Sequence, residues 1–341
     1  MRWPTLAALL ATALVAGCGG GDAGEATGGD APAPRGPADA RLRAELARAT
    51  AVSPGAFAPV GGRTLQEVSD AITTTGPQLA LASSVLTTGS AERLAFGLID
   101  EGKRFLYAPT ALYLAPSGGR AKALGPFAAP ADLLITDTPF RSKTAASEES
   151  PFAAVYAATV PLAQPGSYDV LAVAKVDGRD VAAGARVEVV RPSQDAVPDV
   201  GERPPATKTD TVASAGGDIE AIETRVPPDT MHDVALTDVL GKRPAVLLFA
   251  TPQLCQSRVC GPVVDIAEQL KRTYGDRVAF IHQEVFVDND VSKGLRPPLK
   301  AFNLPTEPWL FALDAEGRVT TRLEGSFGFD AMERAIKSTL R

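Results

Sequence analysis

The chain has 341 residues, 45% of them hydrophobic and 22% charged, and carries a formal net charge of -6. Its length exceeds one comfortable core and favours two or three domains over one, and two folded units plus linkers fit. The acidic balance offers no basic footprint for nucleic acid, and beyond the first residues no apolar run is long enough to span a bilayer.

At the start, Arg2 supplies a positive charge, Leu6 to Ala16 form an apolar stretch too short for a spanning helix, and small residues follow. This pattern reads as an export signal over residues 1–17. The run Leu14-Val15-Ala16-Gly17-Cys18 resembles the bacterial lipobox. The resemblance implies that Cys18 is lipidated at its thiol and becomes the new N-terminus. The mature protein would then be lipid-anchored on the extracytoplasmic side of a bacterial cell membrane, facing an oxidising compartment. Residues 18–40, rich in Gly, Ala, Asp and Pro, read as a flexible tether. Residues 41–77 are a lead-in with one helix-like patch around Leu42 to Ala49.

Residues 78–190 change to short alternating segments separated by Gly, Pro and Asp turns, the rhythm of an all-β sandwich. Leu94, Phe96 and Leu98 alternate, as do Leu112 and Leu114. Phe152 to Leu162 and Tyr168 to Val176 predict two further strands, and Asp177-Gly178 a hairpin turn into a last strand ending near Val190. Pro165-Gly166-Ser167-Tyr168 resembles the corner segment of immunoglobulin-like and fibronectin-like modules, in which the tyrosine hydroxyl bonds back to the backbone. With no cysteine or histidine in this region, binding or spacing is its expected role. Residues 191–217, rich in Pro, Asp, Thr and Gly, read as a second linker.

Residues 218–341 alternate strands and helices. Ala245 to Ala250 is a short apolar run of the buried-strand kind, and Cys255 follows at once. Val263, Ala267, Leu270 and Tyr274 recur at helical spacing, closed by Gly275-Asp276. Val278 to Val287 predicts another strand. Pro308 to Leu313 and Val319 to Leu323 bracket a hairpin at Asp314-Ala315-Glu316-Gly317, and Phe329, Met332, Ile336 and Leu340 form a closing amphipathic helix. The cysteines therefore sit at a strand-to-helix junction. Unpaired N–H groups and partial positive charge at a helix N-terminus stabilise a thiolate. Cys255 is thus the candidate nucleophile and Cys260 the resolving thiol.

This order of elements resembles the thioredoxin fold, and Pro308 through Val319 is similar to the cis-proline strand and hairpin of membrane-anchored TlpA/ResA-type thioredoxins. The resemblance implies an α/β thioredoxin-like domain behind an immunoglobulin-like sandwich. It also implies a cis peptide at Pro308, with Pro305 as the rival, and thiol–disulfide exchange with protein thiols or disulfides of the cell envelope. Glu307, just before the cis-proline in this fold, is a candidate proton-transfer group, because an apolar residue near Leu248 stands where thioredoxin has a buried carboxylate.

The sequence departs from the family in placing four residues between its cysteines. Positions five apart in a regular helix have Cα atoms roughly 8.6 Å apart, beyond the ~7 Å a disulfide bridges. Cys255 must then precede the helix, or the first turn must unwind. The spacing also occurs in peroxiredoxins of the bacterioferritin-comigratory type, which makes a thiol peroxidase one alternative; Thr251, however, lies four residues before Cys255 rather than three. A non-catalytic module with a structural disulfide is the other alternative. No cofactor or metal is expected. The only histidines, His232 and His282, lack zinc-finger spacing, and Sco-type copper chaperones, whose soft thiolates suit Cu(I), space their cysteines differently and use a late-loop histidine absent here. His282 reads as a packed strand residue.

Overall fold

The structure, a computed structural model, describes residues 39–72, 74–89, 91–101, 104–143, 152–255 and 257–341. The export segment, Cys18 and the tether up to residue 38 lie outside the described residues. Helix α1 (Ala40–Thr50) starts where the Asp39 carboxylate accepts from the backbone N–H groups of Arg41 and Leu42, an ordinary N-cap. Leu46 and Ala49 bury its inner face in the core of the following sheets. Helix α2 (Leu65–Asp70) is closed by a capping box between Thr64 and Glu67, which fixes its first turn.

The β-rich region contains β1 (Thr74–Thr75), β2 (Gln78–Leu81), β3 (Ala91–Ile99), β4 (Thr110–Pro116), β5 (Leu124–Ala128), β6 (Ala131–Leu133), β7 (Ala154–Pro161), β8 (Gly166–Val176) and β9 (Arg179–Val189). They form two sheets, ordered β2-β3-β7-β6 and β1-β9-β8-β4-β5. Leu94, Phe96, Leu98 and Tyr156 from the first sheet share a core with Leu112, Leu114, Val170, Ala172 and Val187 from the second, so the region is a β-sandwich held by period-2 burial. Asp177 and Gly178 both have positive φ, 48° and 76°, as the tight β8–β9 turn requires. The Tyr168 hydroxyl accepts from the backbone N–H of Gln164 at 3.3 Å, the corner bond expected from the Pro165–Tyr168 run.

The C-terminal region contains α3 (Leu236–Val239), β10 (Ala245–Phe249), α4 (Cys260–Tyr274), β11 (Ala279–Gln283), α5 (Pro297–Ala301), β12 (Trp309–Leu313), β13 (Val319–Glu324) and α6 (Phe329–Ser338). Its sheet runs β11-β10-β12-β13. β10 pairs in parallel with β11 and antiparallel with β12, which pairs antiparallel with β13. Alternation splits β10 between two cores. Val246 and Leu248 pack with residues of α4 and α6, while Ala245, Leu247 and Phe249 pack with residues of α3 and α5.

Two expectations need correction. Residues 191–217 contain no α-helix or strand but are not a loose linker. Val197 is buried against the C-terminal sheet, Asp195 pairs with Arg322 at 2.7 Å, and the Thr209 hydroxyl accepts from Leu236 N at 2.8 Å. Single anchors spaced along an irregular chain leave no periodicity to read. The sandwich is likewise built onto the C-terminal unit: Ala95, Leu134 and Val155 share the core of α4 and α6. Asp132 accepts from the N–H groups of Gly328, Asp330 and Ala331 at 2.9 to 3.1 Å, capping α6 from the neighbouring sheet. Arg225 and Asp265, a buried pair at 2.8 Å, extend the joint, with Arg225 donating to Phe140 O and Asp265 accepting from Ser142 N.

Candidate functional site

Cys255 lies in the loop between β10 and α4, and Cys260 is the first residue of α4. Of the two geometries open to a four-residue spacing, the chain adopts the one with Cys255 ahead of the helix. Arg258 takes a left-handed conformation, φ 61°, which turns the loop back on itself. The two thiols are free, Cys255 half-buried and Cys260 buried, with sulfurs 2.6 Å apart. A disulfide is within reach without moving the backbone. Cys260 thus stands at the helix N-terminus.

The two thiols are electrostatically opposite. The Cys260 thiol donates to the Cys255 sulfur, which also accepts from the Ser257 hydroxyl at 3.2 Å and from the backbone N–H groups of Cys260 and Ser257. These donors, the Cys260 thiol first, outweigh partial burial and bring Cys255 down to about 6. Burial, together with the bond to Cys255, pushes Cys260 well above its ordinary value. One thiol is therefore poised as a thiolate beside a neutral partner, the arrangement of an attacking and a resolving cysteine.

The Glu307–Pro308 peptide is cis, and Pro308 is buried at the start of β12, whereas Pro305 is exposed. Glu307 is half-buried. Burial, then the charge on Cys255, raises its carboxyl above the usual range, and its own charge in turn raises Cys260. The structure thus brings Cys255, Cys260, Glu307 and Pro308 to one place. Strand, cysteine loop, helix, parallel strand, cis-proline strand, hairpin and helix follow in that order around one mixed sheet.

The C-terminal unit has a thioredoxin-like fold.

No protein-family model matches the chain, and comparison with curated proteins finds no match. Among solved structures, the chain is similar to a protein from Chlorobium tepidum described as a thiol:disulfide interchange protein, DsbE, at a TM-score of 0.31 and 15% identity, over 42% of this chain and 99% of that one. A thioredoxin family thiol:disulfide interchange protein from Chlorobium tepidum TLS gives 0.28 and 17%, over 42% and 99%. A thioredoxin-like superfamily protein gives 0.29 and 14%, over 41% and 97%. The fold is defined by the strand order β11-β10-β12-β13 with β10 and β11 parallel and the rest antiparallel.

Beside the thioredoxin-like site, a pocket of about 350 Å³ is lined by Ser257, Val259, Thr306 and Glu307 on one side and by Leu81 and Phe105 of the sandwich on the other. Leu81 belongs to β2, the edge strand of its sheet, and is 37% exposed. The sandwich therefore forms one wall of this pocket, and the cysteine loop and Glu307 form the other. Glu324 fastens this wall, accepting from the backbone N–H groups of Ser84 and Val85 and from the Thr306 hydroxyl.

The burial of His282 in β11 agrees with its reading as a packed strand residue, but the other buried polar groups around it carried no such reading. The strand predicted over Val278 to Val287 ends as β11 at Gln283, and His282, Gln283 and Glu284, all fully buried, interrupt its apolar run. That interruption was the available signal. His232, fifty positions earlier, lies against His282, with ring centroids 5.3 Å apart.

Proposed function

We propose that this chain is an exported, lipid-anchored thiol–disulfide oxidoreductase that works on protein thiols or disulfides of the bacterial cell envelope through Cys255 and Cys260. The carrying observation is the asymmetry of the pair: a half-buried sulfur lowered to about 6 beside a buried, raised one at 2.6 Å. A purely structural disulfide has no use for that asymmetry.

In the reducing direction, the Cys255 thiolate attacks one sulfur of a client disulfide. The client S–S bond breaks, a mixed disulfide forms, and the first client sulfur leaves as a thiolate that takes up a proton. Cys260 then gives up its proton, for which Glu307 is the nearby acceptor, and attacks Cys255. The Cys255–Cys260 disulfide forms as the second client thiolate departs, so two electrons pass from the pair to the client. The reverse sequence oxidises a client dithiol. The pocket between β2 and Glu307 is the place for the client chain, with Leu81 and Phe105 giving it apolar contact.

The test is to replace Cys260 by Ser and expose the reduced protein to a disulfide-bonded peptide. A stable mixed disulfide on Cys255 supports the reading. Sulfenic acid at Cys255 on stoichiometric peroxide, without peptide capture, would instead favour a thiol peroxidase.

A further inference from the structure

Away from the cysteines, four side chains converge in the interior: Glu223, Asp229, His232 and His282, each buried, with one ligand-type atom apiece and all four atoms within 4.8 Å of one another. They come from the segment before α3 and from β11. The backbone sets them side by side, since His282 N donates to Met231 O at 3.0 Å. His282 Nδ1 lies 2.7 Å from Asp229 Oδ2 and 3.2 Å from Glu223 Oε2. His232 Nε2 lies 3.0 Å from Glu223 Oε2 and 3.5 Å from Asp229 Oδ1.

The outer contacts show which atoms face inward. His282 Nε2 sits 3.1 Å from Ala250 O. A carbonyl only accepts, so Nε2 carries a proton, and Nδ1 is the ring atom turned toward the two carboxylates. A metal-ligating histidine is held in this way, its far N–H fixed by a backbone carbonyl. Each carboxylate has one oxygen tied down by a backbone N–H, Glu223 Oε1 by Arg225 at 2.6 Å and Asp229 Oδ1 by Met231 at 2.7 Å. His232 Nδ1 has no hydrogen-bond partner, so the ring's polar contacts all run through Nε2 into the cluster.

Two carboxylates buried among two imidazoles need positive charge beside them, from protons on the cluster or from a bound cation. Arg225, the nearest fixed cation in sequence, is already paired with Asp265. Tetrahedral coordination with bonds of about 2.0–2.2 Å puts neighbouring ligand atoms roughly 3.3–3.6 Å apart; the facing atoms stand 2.7, 3.0 and 3.2 Å apart, closer than that, so a bound ion would spread them by a few tenths of an ångström. Imidazole with carboxylate is a donor set for a divalent first-row ion, zinc foremost.

We infer that Glu223, Asp229, His232 and His282 form a closed, four-ligand site for a divalent cation of the Zn²⁺ class, which ties the segment before α3 to β11. The site is separate from the thiols and does not depend on their proposed role. Its test uses the full chain carrying both Cys255→Ser and Cys260→Ser, so that no thiolate at the redox site can bind the probe. Titration with Co²⁺ is expected to give one equivalent per chain. The spectrum should show the visible bands of a tetrahedral ion, no thiolate-to-cobalt charge transfer, and loss of signal on adding Zn²⁺. Zn²⁺ should also raise the melting temperature. His232→Asn in that background should weaken Co²⁺ binding by at least about tenfold, the lower bound for disturbing even an outer partner. Glu223→Gln serves as the second variant should the first fail to fold. Absence of stoichiometric binding in the double-Ser chain overturns the inference, as does unchanged binding in a folded ligand variant. Either result makes the cluster a hydrogen-bonded core network.

Discussion

Removing the Cys260 sulfur while keeping its volume small should release the Cys255 thiolate from its strongest stabilising contact. The Cys260 thiol is the largest of the influences that bring Cys255 down to about 6, acting across 2.6 Å. A hydrogen bond to a charged group contributes about 1.5–3 kcal/mol, and one pKa unit corresponds to about 1.36 kcal/mol. Cys260→Ala should therefore raise Cys255 by roughly 1–2 units, to about 7–8. Cys260→Ser keeps a donor at the same place and should hold the value nearer to 6. In a Cys18→Ser background Cys255 is the sole thiol of each variant, so the pH dependence of its alkylation rate and of the ultraviolet thiolate absorbance reads it directly. Equal values for the Ala and Ser variants would refute the reasoning, as would an Ala variant still titrating near 6.

The reduced protein should gain stability relative to Cys255→Ser as pH rises from about 6 to 9. Cys255 is depressed from 9.0 to about 6 on folding, so its contribution is complete above the unfolded value and is lost as pH falls through the folded one. The slope is at most about 1.4 kcal/mol per pH unit; Cys260, shifted upward, loses its contribution only as pH rises above 9, and denaturant melts across that range are the check. Gly325→Ala should destabilise by about 2–5 kcal/mol, because Gly325 has φ 68° and an added Cβ would sit 1.6 Å from Ala82 O; an unchanged melting temperature would contradict the tight docking of the sandwich. Val197→Ala should cost about 1–3 kcal/mol, and native proteolysis should spare residues 191–217, since Val197 is 5% exposed. Cys18→Ser should abolish the membrane partitioning proposed for the mature protein, as read by fractionation.

Legibility followed periodicity. Strands β3, β4, β7, β8 and β9 and helices α4 and α6 were readable because their apolar residues recur at 2 or 3.6 positions, and the cis-proline strand because Pro308 opens an unbroken apolar run. The short strands β1, β2, β5 and β6 carry too few residues to show a period. Docking of the two units was hidden for a related reason. Ala95 and Val155 face the C-terminal core, but Ala95, small and set between Leu94 and Phe96, reads as the outer half of an alternating strand. The pairing of Cys255 with Cys260 depends on a left-handed Arg258, which no residue preference announces, since glycine is the usual occupant of that conformation. The convergence of Glu223, Asp229, His232 and His282 joins positions far apart in sequence through the β10–β11 pairing and the Met231–His282 bond, and only the fold reveals it.

The most direct test of the central claim is mass spectrometry of the reduced Cys260→Ser and Cys255→Ser proteins after a single exposure to a disulfide-bonded model peptide. The account requires a mixed disulfide on Cys255 in the first variant and none on Cys260 in the second. Equal labelling of both thiols, or none on either, would leave the thioredoxin-like fold in place and contradict the assignment of Cys255 as the nucleophile of a thiol–disulfide oxidoreductase.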